Sequence, residues 1–90
     1  MLKSEFKVGV VFKTQNKYGT VSSSNYILSK SSVGNSLYLS SFEPKYPNLS
    51  QHCLNIEKIG SKGFNGYAFV MDKLVKLRFD FKDLILVPNS

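Results

Sequence analysis

The sequence predicts an all-β fold, a small barrel of five to seven short strands formed by residues 1–90 as a single domain. Three observations predict it. Apolar and polar residues alternate with period two at both ends of the chain. Clusters of Gly, Asn and Ser punctuate short apolar runs between those ends. The third observation is size and composition. Ninety residues with 42% hydrophobic and 20% charged side chains suit one core and exclude both a second domain and the apolar-poor profile of disorder. Surface scaling puts the folded area at roughly 5,300 Å² against about 14,600 Å² unfolded, so burial can hold the fold without staples.

The first strand is read from Lys7 to Lys13, with Val8, Val10 and Phe12 on one face and Lys7, Gly9, Val11 and Lys13 on the other. Gln15-Asn16-Lys17-Tyr18-Gly19 is a turn cluster, after which Gly19 to Ser22 return as a partner. Tyr26-Ile27-Leu28 and Leu37-Tyr38-Leu39 flank the polar segment Ser31 to Ser36 and read as a second hairpin. The stretch from Asn48 to Gly60 supports two readings. Leu49, Cys53, Ile56 and Ile59 fit one helix face, with Asn48 and Gln51 as a capping box, which gives an alternative α+β fold with one helix at residues 48–59. Leu54, Ile56 and Lys58 alternate as a strand, with Leu54 and Ile56 inward. Gly60-Ser61-Lys62-Gly63 then serves as a hairpin loop with glycines at positive φ. The strand is preferred, preceded by one helical turn near Pro47 to Gln51. Phe64 to Met71 is aromatic and β-branched. Val75, Leu77, Phe79 and Phe81 alternate with Lys76, Arg78, Asp80 and Lys82. Leu84 to Val87 form a last strand stopped by Pro88. Phe12, Phe69, Phe79 and Phe81 are assigned to the core.

Twelve basic residues against six acidic ones give a net charge of +6, and Arg78 is the one basic residue that is not Lys. The balance is +4 over residues 1–30, zero over 31–60 and +2 over 61–90. Such a chain attracts anionic partners. Lysine is a hydrated point charge, whereas base edges are read mostly by the fork of Arg, so the composition favours phosphate attraction over base reading. A coding bias toward Lys, Ser and Asn that keeps a small protein soluble explains the same charge.

One His, one Cys and six acids are too few and too scattered for a nucleophile with its base, a carboxylate pair or a metal cluster, so a non-enzymatic protein without metal or cofactor is expected. His52 and Cys53 are neighbours that a strand sends to opposite faces. His52 is then a surface residue and Cys53 a small buried hydrophobe. The lone Cys53 excludes an internal disulfide and, with no apolar N-terminal run or membrane span, fits a reducing, cytoplasmic setting.

Two resemblances bear on function. Ile59-Gly60-Ser61-Lys62-Gly63 is similar to the GxxG loop with which KH domains clamp a nucleic-acid backbone, but strand composition follows at Tyr67-Ala68-Phe69-Val70. A broader pattern spans both ends. Phe6-Lys7-Val8-Gly9-Val10-Val11-Phe12 and Tyr18-Gly19-Thr20-Val21 are joined far downstream by Val75-Lys76-Leu77-Arg78-Phe79 and Asp83-Leu84-Ile85-Leu86-Val87. This resembles the small SH3-like barrels of the KOW and Tudor kind. It departs from them at Val10, where an acid usually follows the glycine, and in having only Gly19 of the two turn glycines. The resemblance implies a module that binds nucleic acid or a protein of the transcription or translation machinery.

Lysines interleave with aromatic residues at Phe12-Lys13, Lys17-Tyr18 and Lys62 to Phe64, the combination that neutralises phosphates and stacks bases. Lys13, Lys76 and Arg78 fall on outward strand positions and Lys17 and Lys62 in turns, so these five are expected to form a basic face that holds DNA or RNA largely without sequence preference. Tyr18, in a turn beside Lys17, is the expected stacking residue. The competing expectation is a phage-type or regulatory polypeptide that docks on an acidic protein of the nucleic-acid machinery through the neutral middle and exposed Tyr26, Tyr38 and Tyr46.

Overall fold

A computed structural model describes residues 1–88. Seven strands, β1 (Val11–Thr14), β2 (Asn25–Lys30), β3 (Leu37–Phe42), β4 (His52–Ile59), β5 (Gly63–Val70), β6 (Lys73–Asp80) and β7 (Leu84–Leu86), form one antiparallel sheet in the order β6-β5-β4-β3-β2-β1-β7. The first six strands are a meander. The chain then crosses through a one-turn 3-10 helix, Phe81–Asp83, and lays β7 against the far side of β1. A flat sheet of this size would be about 10 Å thick. The molecule measures 29 × 28 × 28 Å, so the sheet is curled, as a half-barrel. The fold is all-β, with no α-helix among the described residues.

Curling has visible causes in the sequence. Strand β4 carries two bulges, one at Cys53 opposite Leu39 and Ser40 and one at Glu57 opposite Gly66 and Asn65, and each extra residue bends the strand. Gly63 and Gly66 sit where β5 comes closest to the backbones of its neighbours β6 and β4. A Cβ at Gly63 would overlap the carbonyl oxygen of Phe79, and one at Gly66 that of Asn55. Inside the curl Phe12, Leu28, Leu39, Leu54, Phe64 and Leu84 are buried, one each from β1 to β5 and β7, together with Phe6 and Phe81 from outside the strands. Phe6 enters from the N-terminal segment and stacks on Phe64 with ring centroids 4.7 Å apart.

Several expectations need correction. The first strand begins at Val11 and not at Lys7, because the Lys7–Val10 turn, with Gly9 at φ +96°, breaks the alternation and leaves Val8 exposed. Residues 19–22 return only as a single bridge between Gln15 and Val21. Residues 48–59 contain no helix. The expected helical turn at Pro47 to Gln51 is replaced by two successive β-turns, Glu43–Tyr46 and Tyr46–Leu49, each with Pro at its second position, where its fixed φ suits a turn. Gly60 and Gly63 do not have positive φ, and the strands on both sides of them exclude the helices of a KH loop. Leu54 is buried and Ile56 packs on the core, as the strand reading requires. Phe12 is buried and Phe79 half-buried. Phe81 is buried too, but from the 3-10 turn and not from a strand. Phe69 is not in the core at all: it is 76% exposed. The run Tyr67 to Val70 is apolar on both faces, so composition leaves its parity open, and buried Phe64 with close-packed Gly66 sets the even positions inward.

Candidate nucleic-acid interface

The outer surface of β5 and β6 is organised as a ladder of directly opposed pairs: Phe69 with Leu74, Tyr67 with Lys76, Asn65 with Arg78 and Gly63 with Asp80. Opposed residues share a face, so two aromatic rings, two residues apart on β5, lie alongside two cations, two residues apart on β6. Lys58 extends the Asn65–Arg78 rung onto β4. Phe69 and Leu74 stand exposed at the hairpin end, beside Val70 and the turn residue Met71, which is 91% exposed.

Lys76 is already engaged. Its Nζ lies 3.4 Å from Glu57 Oε1 and 5.9 Å from the centre of the Tyr67 ring. The Tyr67 hydroxyl beside Glu57, and then Lys76, hold the Glu57 carboxyl below its ordinary value, and the same contact with Glu57 raises the Tyr67 phenol. Arg78 Nη2 lies 3.3 Å from Asp80 Oδ1, on its own strand and face. Both pairs are solvent-exposed and hold their cations only weakly against a competing anion.

The six residues selected from sequence are partly brought together. Arg78 is the common member: it lines one cleft with Lys17 and another with Lys62. Lys76 stands next to it on the same strand face. Lys13 is separate, half-buried on β1 opposite Ile85 of β7, and lines neither cleft. Tyr18 is 80% exposed at the β1–β2 turn, with Lys17 Nζ 5.0 Å above its ring. That turn is preset: Asn16 Oδ1 accepts from the amides of Tyr18 and Thr20, and Gly19 takes φ +83°.

Sequence reasoning missed Tyr67, Phe69, Asn65 and Lys58. The sequence holds no signal for the first two, because the parity of Tyr67 to Val70 is set by the close approach of Gly66 to Asn55 on the neighbouring strand. Of the tyrosines expected at a protein interface, Tyr46 is exposed, Tyr38 is half-buried beneath His52, and Tyr26 packs against the core near Phe12. His52 bonds Asn55 Oδ1 at 2.9 Å on the surface. Cys53 is half-buried and lines an apolar cleft of about 210 Å³ at the open seam of the barrel, with Tyr26, Leu54, Leu77 and Phe79. Among the described residues no helix is long and apolar enough to cross a membrane. Comparison of the chain with protein families, with curated proteins and with solved structures returns no significant match.

Proposed function

We infer that this protein is a non-enzymatic module that binds single-stranded nucleic acid, largely without sequence preference, on the outer face of β5 and β6. One observation carries the reading: exposed Phe69 and half-exposed Tyr67 lie on one strand in register with Lys76 and Arg78 on the next. Successive bases stack on rings so spaced while the cations meet the backbone, and every base has a face to stack. Lys17, on the far side of the Arg78 cleft, adds a further cation, and the Tyr18 ring beneath its ammonium adds a third ring. The likeness to KOW and Tudor barrels belongs to the same reading, supported by the 3-10 turn and short last strand that close the sheet on β1.

Fluorescence anisotropy with labelled single strands and duplexes of mixed sequence tests it. With about four phosphates met by Lys17, Lys58, Lys62 and Arg78, the log-log salt slope on single strands should be near −3, so a fourfold rise in salt weakens binding by roughly 50-fold. Binding of neither form at low salt and micromolar protein sinks the reading.

A second reading has its own observation. Phe69, Val70, Met71 and Leu74 form an exposed apolar hairpin end beside Lys73, which suits a regulatory polypeptide docking on an acidic protein. Pull-down with and without nuclease separates the two. Loss of every partner on nuclease treatment supports nucleic acid, and one stoichiometric protein retained supports docking.

A further inference from the structure

Beyond the aromatic rungs, the same wall of the sheet ends in a basic concavity. Lys58, Asn65 and Arg78 stand in one row across β4, β5 and β6, and Lys62, with Gly60 and Ser61, closes a cleft of about 320 Å³ over them from the β4–β5 turn. The turn is pinned at both ends: the Gly60 amide donates to the Gly63 carbonyl at 2.8 Å and the Phe81 amide to the Lys62 carbonyl at 2.9 Å. Lys62 is therefore projected from a fixed backbone, and an anion arriving there orders little more than side chains.

The charge count is specific. Three cations line the cleft, and Asp80, bonded to Arg78, offsets one of them. Glu57 adds nothing to the count, because Tyr67 and Lys76 hold it. The remainder is two positive charges. Asn65 Oδ1 is buried and accepts no hydrogen bond among the described residues, so it engages neither Lys58 nor Lys62, while Arg78 bridges Asp80. A phosphodiester carries one negative charge, whereas a terminal phosphate above its second pKa of about 6 carries two.

We propose that the Lys58–Lys62–Arg78 cleft binds a dianionic phosphate group, the terminal phosphate of a strand whose bases lie on Tyr67 and Phe69. Lys58 and Lys62 meet it as point charges, Arg78 with a planar fork and Asn65 with its amide NH₂. The source of the phosphate rests on the nucleic-acid reading; the affinity for the anion does not.

Two titrations test it. Inorganic phosphate at neutral pH, followed by amide NMR, should shift Ser61, Lys62 and Asn65 saturably. In anisotropy, a thymidine oligomer with a terminal phosphate should bind about tenfold more tightly than one with hydroxyl ends, the equivalent of one charge-assisted hydrogen bond. Lys58→Gln and Lys62→Gln should each erase that difference, and Lys45→Gln, on the β3–β4 loop, should keep it. Equal affinity for both ends overturns the terminal-phosphate assignment. Strands that bind while phosphate leaves those amides unmoved sink the cleft and spare the stacking face; phosphate shifts without any strand binding sink the nucleic-acid reading and uphold the anion site.

Discussion

In the β1–β2 turn the chain reverses over Lys17, Tyr18 and Gly19 with side chains suited to a reversal: Asn16 caps two amides and glycine takes the positive φ. In the β5–β6 turn it reverses over Met71 and Asp72, both non-glycine, at φ +50° and +64°. Asp is tolerated in that region, but Met is not, and a side chain like that of Met71 costs about 1–2 kcal/mol there. The strained turn is also the one flanked by exposed Phe69 and Leu74. Folding explains Asn16 and Gly19 in the first turn. It does not ask for Met71 at a positive φ or for Phe69 in the open, and that difference is what supports the proposed role of the hairpin end.

The sharpest test sets two rings of one strand against each other. Phe64 is 1% exposed, and Phe64→Ala should cost about 3–5 kcal/mol in a urea titration. Phe69→Ala, five residues on, should stay within about 0.5 kcal/mol in the same titration and yet weaken single-strand binding by about 1–3 kcal/mol, with little effect on duplex. Comparable losses of stability at both positions would mean that Phe69 is structural after all and would break the contrast.

The turns themselves come next. Gly19→Ala should destabilise by about 1–2 kcal/mol, because its φ of +83° excludes an ordinary side chain. Met71→Asn with Asp72→Gly installs the preferred residues for a turn with both central φ positive and should stabilise by about 1 kcal/mol, read as a higher denaturant midpoint at constant slope. A lower midpoint would show that Met71 is held there by packing, and strain would then say nothing about function.

How much of this was legible in the sequence follows the same division. The β2–β3 hairpin and the inward set Val75, Leu77 and Phe79 on β6 could be read, because period two with polar partners has a single parity. The choice of strand over helix at 52–59 turned on Leu54 and Ile56. The helix signals around Asn48 were real local turn chemistry, realised as proline turns. Phe69 was illegible to composition, since a run apolar on both faces takes its parity from the backbone approach at Gly66, a tertiary fact. For the candidate site, charge with strand and turn position named Lys17, Lys62, Lys76 and Arg78, which the structure places on β6 or in the clefts that Arg78 lines. Charge and position could not tell that Glu57 occupies Lys76, that Lys13 lies apart, or that Lys58 joins Arg78, because cross-strand rungs depend on bulge positions. The last two rungs can be perturbed separately.

The smallest effect is expected at the Glu57–Tyr67–Lys76 rung. The carboxyl's folded value lies below its unfolded one, chiefly through the Tyr67 hydroxyl and then Lys76, so the rung's contribution is present above the unfolded carboxylate range and is lost as pH falls through the lowered value. Glu57→Gln removes the charge at every pH and frees Lys76 for phosphate. Its single-strand salt slope should steepen by about 0.7, the share of one added phosphate contact, with a modest gain in affinity at neutral pH. Acid should make the natural protein converge on the variant: its affinity should rise toward that of Glu57→Gln as pH falls through the Glu57 titration, while the variant shows no such step. Weaker binding by Glu57→Gln at neutral pH would reverse the assignment. The carboxylate would then be holding Lys76 and Tyr67 in a binding posture instead of competing for the cation, and the rung would resemble the preset β1–β2 turn more than the strained hairpin end beside it.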